Sequence, residues 1–329
     1  MWREAPQRLR QGHMNKKPLE LLFAAMYHEK YDFSDFLSSD VSTNYDVRAF
    51  RGKPAYSPNK KLKAYHLFLN TFLCEFLEVN KRVVFSYRKG ARPHEAVLAH
   101  AKSRAFFQTD IEDFFGSLKR PTIERTLRAN APNVPILDLD EHIHRILSLI
   151  TVDEKLPVGF ATSPHISNAC LTPFDDELED LCRGRGLIYT RYADDLTISG
   201  GARESLLDLS KVLQELLNKH FGETFRLNRA KSKLTTVGRK VKLLGLVILP
   251  SGQVSIDREL KDRIETRIHF FVDDRSKFMN LVDNDDEAGL EQLCGYVNYV
   301  NSVDPAYLEK LQRKFGATVI DSLLHRTAS

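Results

Sequence analysis

Leu187-Ile-Tyr-Thr-Arg-Tyr-Ala-Asp-Asp-Leu-Thr-Ile-Ser199 is the stretch on which the reading of this chain turns. Its β-branched, aromatic and aliphatic residues predict strand, bounded by Gly186 on one side and Gly200-Gly201 on the other. Asp194 and Asp195 stand in its middle. Neighbours on a regular strand face opposite ways, so a tight turn at Ala193-Asp194 is expected, lifting both carboxylates to one tip. Two like charges between apolar strands are costly unless a cation neutralises them. A metal is the simplest counter-charge, and a third carboxylate is expected close by. Three further Asp-Asp pairs occur. Asp175-Asp176 falls in a predicted helix, whereas Asp273-Asp274 and Asp285-Asp286 lie in polar, turn-like surroundings and read as solvated surface.

Outward from this hairpin, residues 106–110 (Phe-Phe-Gln-Thr-Asp) predict a buried strand ending in Asp110. Enzymes that mix α and β structure place metal ligands at such strand ends, and capping of the following helix is the competing role. Residues 163–182 predict a helix opened by Ser163-Pro164. Leu206, Leu209, Leu213, Leu216 and Leu217 predict an amphipathic helix ending near Gly222. Strands are expected at 224–227 and 241–249. Strand, helix, strand pair, helix, strand is the order of a split βαβ sandwich, so the fold class is α+β with an antiparallel sheet. Residues 1–40 read as peripheral helix, 45–63 as short extended pieces, and 136–150 as helix. After Pro250 the chain is expected to return to helices, clearest at 258–271 and 289–300.

The chain has 329 residues, 42% of them hydrophobic and 28% charged. No apolar run approaches the roughly 18–20 residues of a membrane span, and Met1-Trp2-Arg3-Glu4 does not open a signal peptide. Cys74, Cys170, Cys182 and Cys294 form no Cys-x-x-Cys pair and are expected to be buried free thiols in a reducing, cytoplasmic setting. The net charge of +4 is unevenly spread. Residues 1–109 carry 19 Lys and Arg against 10 Asp and Glu, and residues 110–195 carry 9 against 16. A basic flank beside an acidic centre suits phosphate binding around a metal site. Within that flank Arg48, Arg51, Lys53, Lys60, Lys61 and Lys63 alternate with Phe50, Tyr56 and Tyr65, a pattern fit for phosphate contact and base stacking.

Read together, these motifs resemble the reverse transcriptases of bacterial retrons over residues 45–315. Tyr192-Ala193-Asp194-Asp195 is similar to that family's Tyr-x-Asp-Asp box, preceded by Tyr189-Thr190-Arg191. Asp110-Ile111-Glu112-Asp113-Phe114-Phe115 resembles its first palm motif, and Leu156-Pro157-Val158-Gly159 through Ser163-Pro164 and Ser167-Asn168 the next. Leu227-Asn228 with Lys231 and the Leu244-Gly245 turn of the primer grip follow in order. Three positions depart from the pattern. Val158 replaces the usual Gln, Ala96-Val97-Leu98-Ala99-His100 keeps only the His of Asn-Ala-x-x-His, and Leu243-Leu244-Gly245 stands for Val-Thr-Gly.

The resemblance implies a right-hand polymerase. Residues 1–105 would form an N-terminal helical extension and fingers, 106–250 an RRM-like palm with a fingers insertion at about 119–160, and 251–329 a small helical thumb. It implies RNA-directed DNA synthesis with two Mg²⁺ ions about 3.5–4 Å apart, held by hard oxygen ligands. Asp110 and Asp194 would be shared ligands, Asp195 a supporting one, and the Ile111 carbonyl a further donor. Phe115 would lie under the incoming sugar and collide with a 2′-hydroxyl. Lys231, with Lys53, Lys63 and Gly159, would meet the nucleotide, and Arg258, Lys261, Arg263 and Arg267 an RNA stem. The implied partners are a structured template and primer RNA, its single-stranded DNA product, dNTPs, and an effector (toxin) protein of an anti-phage defence system. A related defence-type or intron-like reverse transcriptase, or a silent RNA-binding module on the same sheet, is the alternative.

Overall fold

The computed structural model describes residues 15–325 apart from 51, 237, 239–240 and 282–285, so Met1–Glu4 and Asp285 lie outside the described residues. Helices α1 (Leu19–Tyr27) and α2 (Phe33–Ser38) precede a hairpin of β1 (Tyr45–Phe50) and β2 (Lys53–Pro58). There follow α3 (Lys60–Phe72), α4 (Pro93–Ala99), β3 (Ala105–Asp110), α5 (Phe114–Ser117), α6 (Arg120–Asn130), α7 (Leu139–Ile150) and the long α8 (Ser163–Gly184). Next come β4 (Ile188–Tyr192), β5 (Asp195–Gly200), α9 (Leu209–Phe221), β6 (Lys233–Thr236), β7 (Val241–Leu243), β8 (Leu246–Ile248) and β9 (Val254–Ile256). Helices α10 (Arg258–Asp273), α11 (Arg275–Leu281), α12 (Asp286–Val303), α13 (Pro305–Phe315) and α14 (Ala317–His325) complete it. Among the described residues no helix is long and apolar enough to cross a membrane, and all four cysteines are buried.

The central sheet runs β4-β5-β3-β6, antiparallel throughout, with Asp110 registered opposite Asp195. Side-chain alternation gives β3 two lives. Phe107 joins the larger core, with Ile166, Cys170, Phe174 and Leu178 of α8 and Leu213 and Leu217 of α9. Phe106, one residue earlier, belongs to a second core made of Val97, the β7-β8-β9 sheet and α10 to α14. The i, i+4 spacing of the α8 residues turns them all inward, and each such fully buried side chain contributes about 1.5–3 kcal/mol.

Several expectations need correcting. Residues 224–227 are not a strand: 222–224 form a 3₁₀ turn and Leu227 makes one bridge to Ile111. The Gln214 amide takes the place of a ladder there, donating to Phe225 O at 2.9 Å and accepting from Leu227 N at 3.0 Å. The sheet's fourth strand is β6 instead. The predicted strand at 241–249 is split by Leu244 (φ +48°) and Gly245 (φ +82°), the paired left-handed residues of a two-residue hairpin. Helices do not resume at once after Pro250, because β9 first closes a three-stranded sheet.

Two buried histidines tie the layers. His100 has Ser199 Oγ at 2.6 Å from Nδ1 and Thr190 Oγ1 at 2.7 Å from Nε2, joining α4 to the back of β4 and β5. His66 Nε2 lies 2.8 Å from Leu149 O. Burial lowers both from 6.5 to about 4, so the fold holds them neutral. Above pH 6.5 the folded and unfolded chains are both neutral here and stability is at its full value. Between pH 6.5 and about 4 only the unfolded chain takes up these protons. The contribution of these two residues is therefore expected to fall over that window, by about 1.4 kcal/mol per pH unit for each histidine once below 6.5. Denaturant midpoints measured from pH 7 to 4.5 check this, and His100→Gln should flatten part of the slope.

Candidate active site

The predicted turn is present: β4 ends at Tyr192, β5 begins at Asp195, and Ala193-Asp194 form the two-residue loop between them. Ala193 has φ +57°, a left-handed conformation that costs a non-glycine residue about 1–2 kcal/mol. The turn docks on the end of β3, where Ile111 N–H donates to Asp194 O at 3.1 Å. Asp110 and Asp194 thus line one cleft of about 480 Å³, shared with Ile111, Phe115, Lys53 and Lys231.

Asp110 is buried, yet one of its oxygens is free for a ligand. Lys231 Nζ donates to Oδ2 at 2.8 Å, and Asn228 Nδ2 reaches the same oxygen at 3.4 Å. Oδ1 is buried with no hydrogen-bond partner. The loop carrying Lys231 is pinned to β3 by Asn228 N–H on Asp110 O at 2.8 Å and by Thr109 Oγ1 against Ser232 Oγ at 2.7 Å. Hydrogen bonding to Asp110 raises the Lys231 pKa. Burial raises that of Asp194, with the Asp110 charge adding and Lys231 and Lys53 opposing. Asp195 reaches solvent at its tip, but surrounding protein, then the Asp194 and Asp110 charges, push it up to about 6.

Among the described residues no three Asp, Glu, His or Cys side chains are gathered tightly enough to grip a metal unaided. The donor set nonetheless fits hard cations. An orphaned carboxylate oxygen, a second carboxylate lining the same cleft and negative charge only partly offset by the exposed Lys231 and Lys53 ammoniums are what such an ion would satisfy.

The remaining expected residues divide. Phe115 is half-buried in the cleft wall, its ring 5.3 Å from buried Phe114 and edge-on to it. Lys53 pairs with Asp113 at 3.0 Å, an exposed contact weak enough to be exchanged for a phosphate. Lys63 is exposed on the first turn of α3 and does not line the cleft. Gly159 does not line it either, and its role is close approach. At φ +105° an added Cβ would sit 2.2 Å from Tyr56 O, where Val158 O accepts from Tyr56 N–H at 2.8 Å. Val158 itself faces the cleft, so no amide replaces the missing Gln at that position. Ala96 is buried on α4 and Leu243 in the second core.

The four cations of α10 do not share one free face. Lys261 is turned inward to Ser255 Oγ at 2.7 Å and Asp304 at 3.3 Å, over the Tyr307 ring. Arg267 hydrogen-bonds Gln292 and lies 5.5 Å over Tyr296. Helical spacing puts these two on the flanks of the buried Ile264–Ile268 stripe, where α12 and α13 claim them. Arg258 and Arg263 stay exposed. Arg191, noted above only as part of the Tyr189-Thr190-Arg191 run, proves to be fully buried, a charge inside an otherwise uncharged strand.

Comparison with known proteins assigns the sequence to a family. The family model for reverse transcriptase (RNA-dependent DNA polymerase) covers residues 53–248. The chain is 26% identical to the retron Ec73 reverse transcriptase of Escherichia coli over 84% of its own length and 88% of the relative's. It is 23% identical to the retron Ec83 reverse transcriptase of the same organism, over 89% and 93%. Among solved structures, apo telomerase from Candida tropicalis aligns with a TM-score of 0.48 at 10% identity, covering 87% of this chain and 62% of that one, so this chain spans about three fifths of the telomerase. With Asp110, Asp194 and Asp195 inside the matched span, this chain belongs to the reverse transcriptase family of RNA-directed DNA polymerases.

Proposed function

We propose that this reverse transcriptase copies one structured RNA encoded beside its own gene into a short single-stranded DNA, as part of a retron defence system with a separate effector protein. The observation that carries the catalytic part is the meeting of Asp110 and Asp194 across one cleft, with the Asp110 Oδ1 unpartnered. Asp110, Asp194 and Asp195, with the Ile111 carbonyl, would hold two Mg²⁺ ions, which when bound supply charge neutralisation at the transferring phosphate. The chain's own groups do the rest. Lys231 and Lys53 both line the cleft and would hold a dNTP triphosphate, each leaving a carboxylate partner to do so. Phe115 would floor the sugar position. Residues 15–105 with the insertion at about 119–160 would serve as N-terminal extension and fingers, 106–250 as palm, and the helices from residue 251 onward as thumb.

The retron part draws on the overall similarity to the retron Ec73 and Ec83 enzymes, which covers 84% and 89% of this chain, more than the family match does. In such systems the primer is a 2′-hydroxyl inside the RNA, so the product stays branched to it. Expression of the gene with its flanking DNA is expected to yield one discrete DNA whose gel mobility changes after debranching. Heterogeneous or template-independent DNA would instead favour a different defence-type reverse transcriptase.

A further inference from the structure

The turn carrying Asp194 is held from beneath by groups that never reach the cleft. Arg191 is fully buried, among the largest such side chains of the described residues. Its Nε and Nη2 donate to the two oxygens of Asp175 on α8 at 2.8 and 2.6 Å, and the Tyr189 hydroxyl donates to the same carboxylate at 2.7 Å. Its Nη1 donates to Asn168 Oδ1 at 3.0 Å and to Ala193 O at 3.1 Å. From the other side, Ser86 Oγ accepts the Ala193 N–H at 2.8 Å, and Asn168 Nδ2 donates to Ser86 O at 2.8 Å. Both backbone polar groups of Ala193 are therefore tethered, and both tethers converge on Asn168. Backbone bonds from Arg191 N to Val83 O (2.7 Å) and from Phe85 N to Arg191 O (2.9 Å) hold the segment bearing Ser86 against β4.

This arrangement is over-built for stability alone. Replacing a buried ion pair by apolar residues of similar volume is often neutral or favourable, so the pair needs another reason to be there. A guanidinium fork fixes direction, because its donors lie in one rigid plane. What it directs is Ala193, whose left-handed φ persists only where the surroundings over-determine it. The next residue is Asp194.

We propose that Arg191, Asp175, Asn168 and Ser86 are positioning residues that lock Ala193 in its left-handed conformation, so that Asp194 is aimed into the cleft before substrate arrives. The inference rests on the assignment of Asp194 as a catalytic carboxylate. Through Asp175 and Asn168 the turn is referenced to the 22-residue α8 as well as to its own strand β4.

Ser86→Ala removes one hydroxyl and leaves the Asn168 bond to Ser86 O in place. The full chain is assayed on a primed RNA template for kcat, KM for dNTP, template affinity and melting midpoint. Ser86→Ala is expected to lower kcat about 10- to 100-fold while KM and template affinity stay within twofold and the midpoint moves by a few degrees at most. Adding Ala193→Gly, for which the left-handed conformation is free of strain, is expected to restore kcat at least about threefold. Arg191→Ala would strand the Asp175 charge and unfold the protein, so Arg191→Lys, which keeps charge but loses the fork, is the companion and should lower kcat in the same way. The scaffold is overturned if Ser86→Ala keeps kcat within twofold, if kcat, template affinity and melting midpoint fall together, or if Ala193→Gly restores nothing. Asp194→Asn in the same assay separates the two levels. Retained kcat there refutes the site itself, whereas its loss beside an unaffected Ser86→Ala refutes only the scaffold.

Discussion

Asp194→Asn is expected to reduce DNA synthesis by three orders of magnitude or more, about 4 kcal/mol of transition-state stabilisation, while template RNA still binds. Asparagine keeps the shape of the side chain and the backbone bond from Ile111, so the loss would be one of charge. Asp110→Asn is expected to do the same, since among the described residues it weakens the only side-chain oxygen of the cleft that is both buried and unpartnered and frees Lys231. Stability should move the other way. Burial and neighbouring carboxylates disfavour the charged form of Asp194, so a neutral isostere should melt at the same temperature or higher. Primer extension, filter binding and a thermal melt on one preparation test all three statements. Extension near the level of the unmodified enzyme by Asp194→Asn would mean that the catalytic centre lies elsewhere.

Phe115→Ala is expected to admit ribonucleotides, narrowing the preference for dNTP over rNTP by about two orders of magnitude. The ring is half-buried, leans edge-on against Phe114 and forms part of the cleft wall below Asp110. Its removal opens room for one hydroxyl without disturbing the carboxylates. Because Phe114 is the buried member of the pair, the loss of stability should be modest, below the 3–5 kcal/mol of a core Phe→Ala. Competition between rNTP and dNTP on one template gives the ratio directly. An unchanged ratio with a large drop in melting temperature would return Phe115 to the core.

How far the residues announced this arrangement depends on the range of the interaction involved. The Ala193-Asp194 turn was legible because its cause is local: two carboxylates inside an apolar strand run admit few conformations. Asp110 was legible at the end of β3 for the same reason. Helix α8 was legible from its Ser163-Pro164 start, and α9 from its apolar spacing. Contacts that pair residues far apart were not. Nothing near Arg191 names Asp175 as its partner, and nothing near Lys261 names Asp304, so the first was overlooked and the second was taken for a surface cation. Residues 224–227 have strand composition, yet they make only a single bridge, with the Glu112 N–H on Arg226 O, while the Gln214 side chain takes Phe225 O and Leu227 N–H, and no ladder forms. The short β9 was hidden because three residues carry too little pattern to stand out from the turn before them.

The two faces of β3 also bear on what could be exchanged between such enzymes. Phe107 is sheltered by the helices under the sheet, but Phe106 shares its core with the segment that follows residue 240. The C-terminal third is therefore not a detachable cassette. A chimaera joined near residue 250 would inherit a catalytic strand fitted on one side to its old partner and on the other to a stranger. The smallest unit that can be transplanted intact runs from α4 to the last helix, with Val97, Phe106 and the three-stranded sheet travelling together.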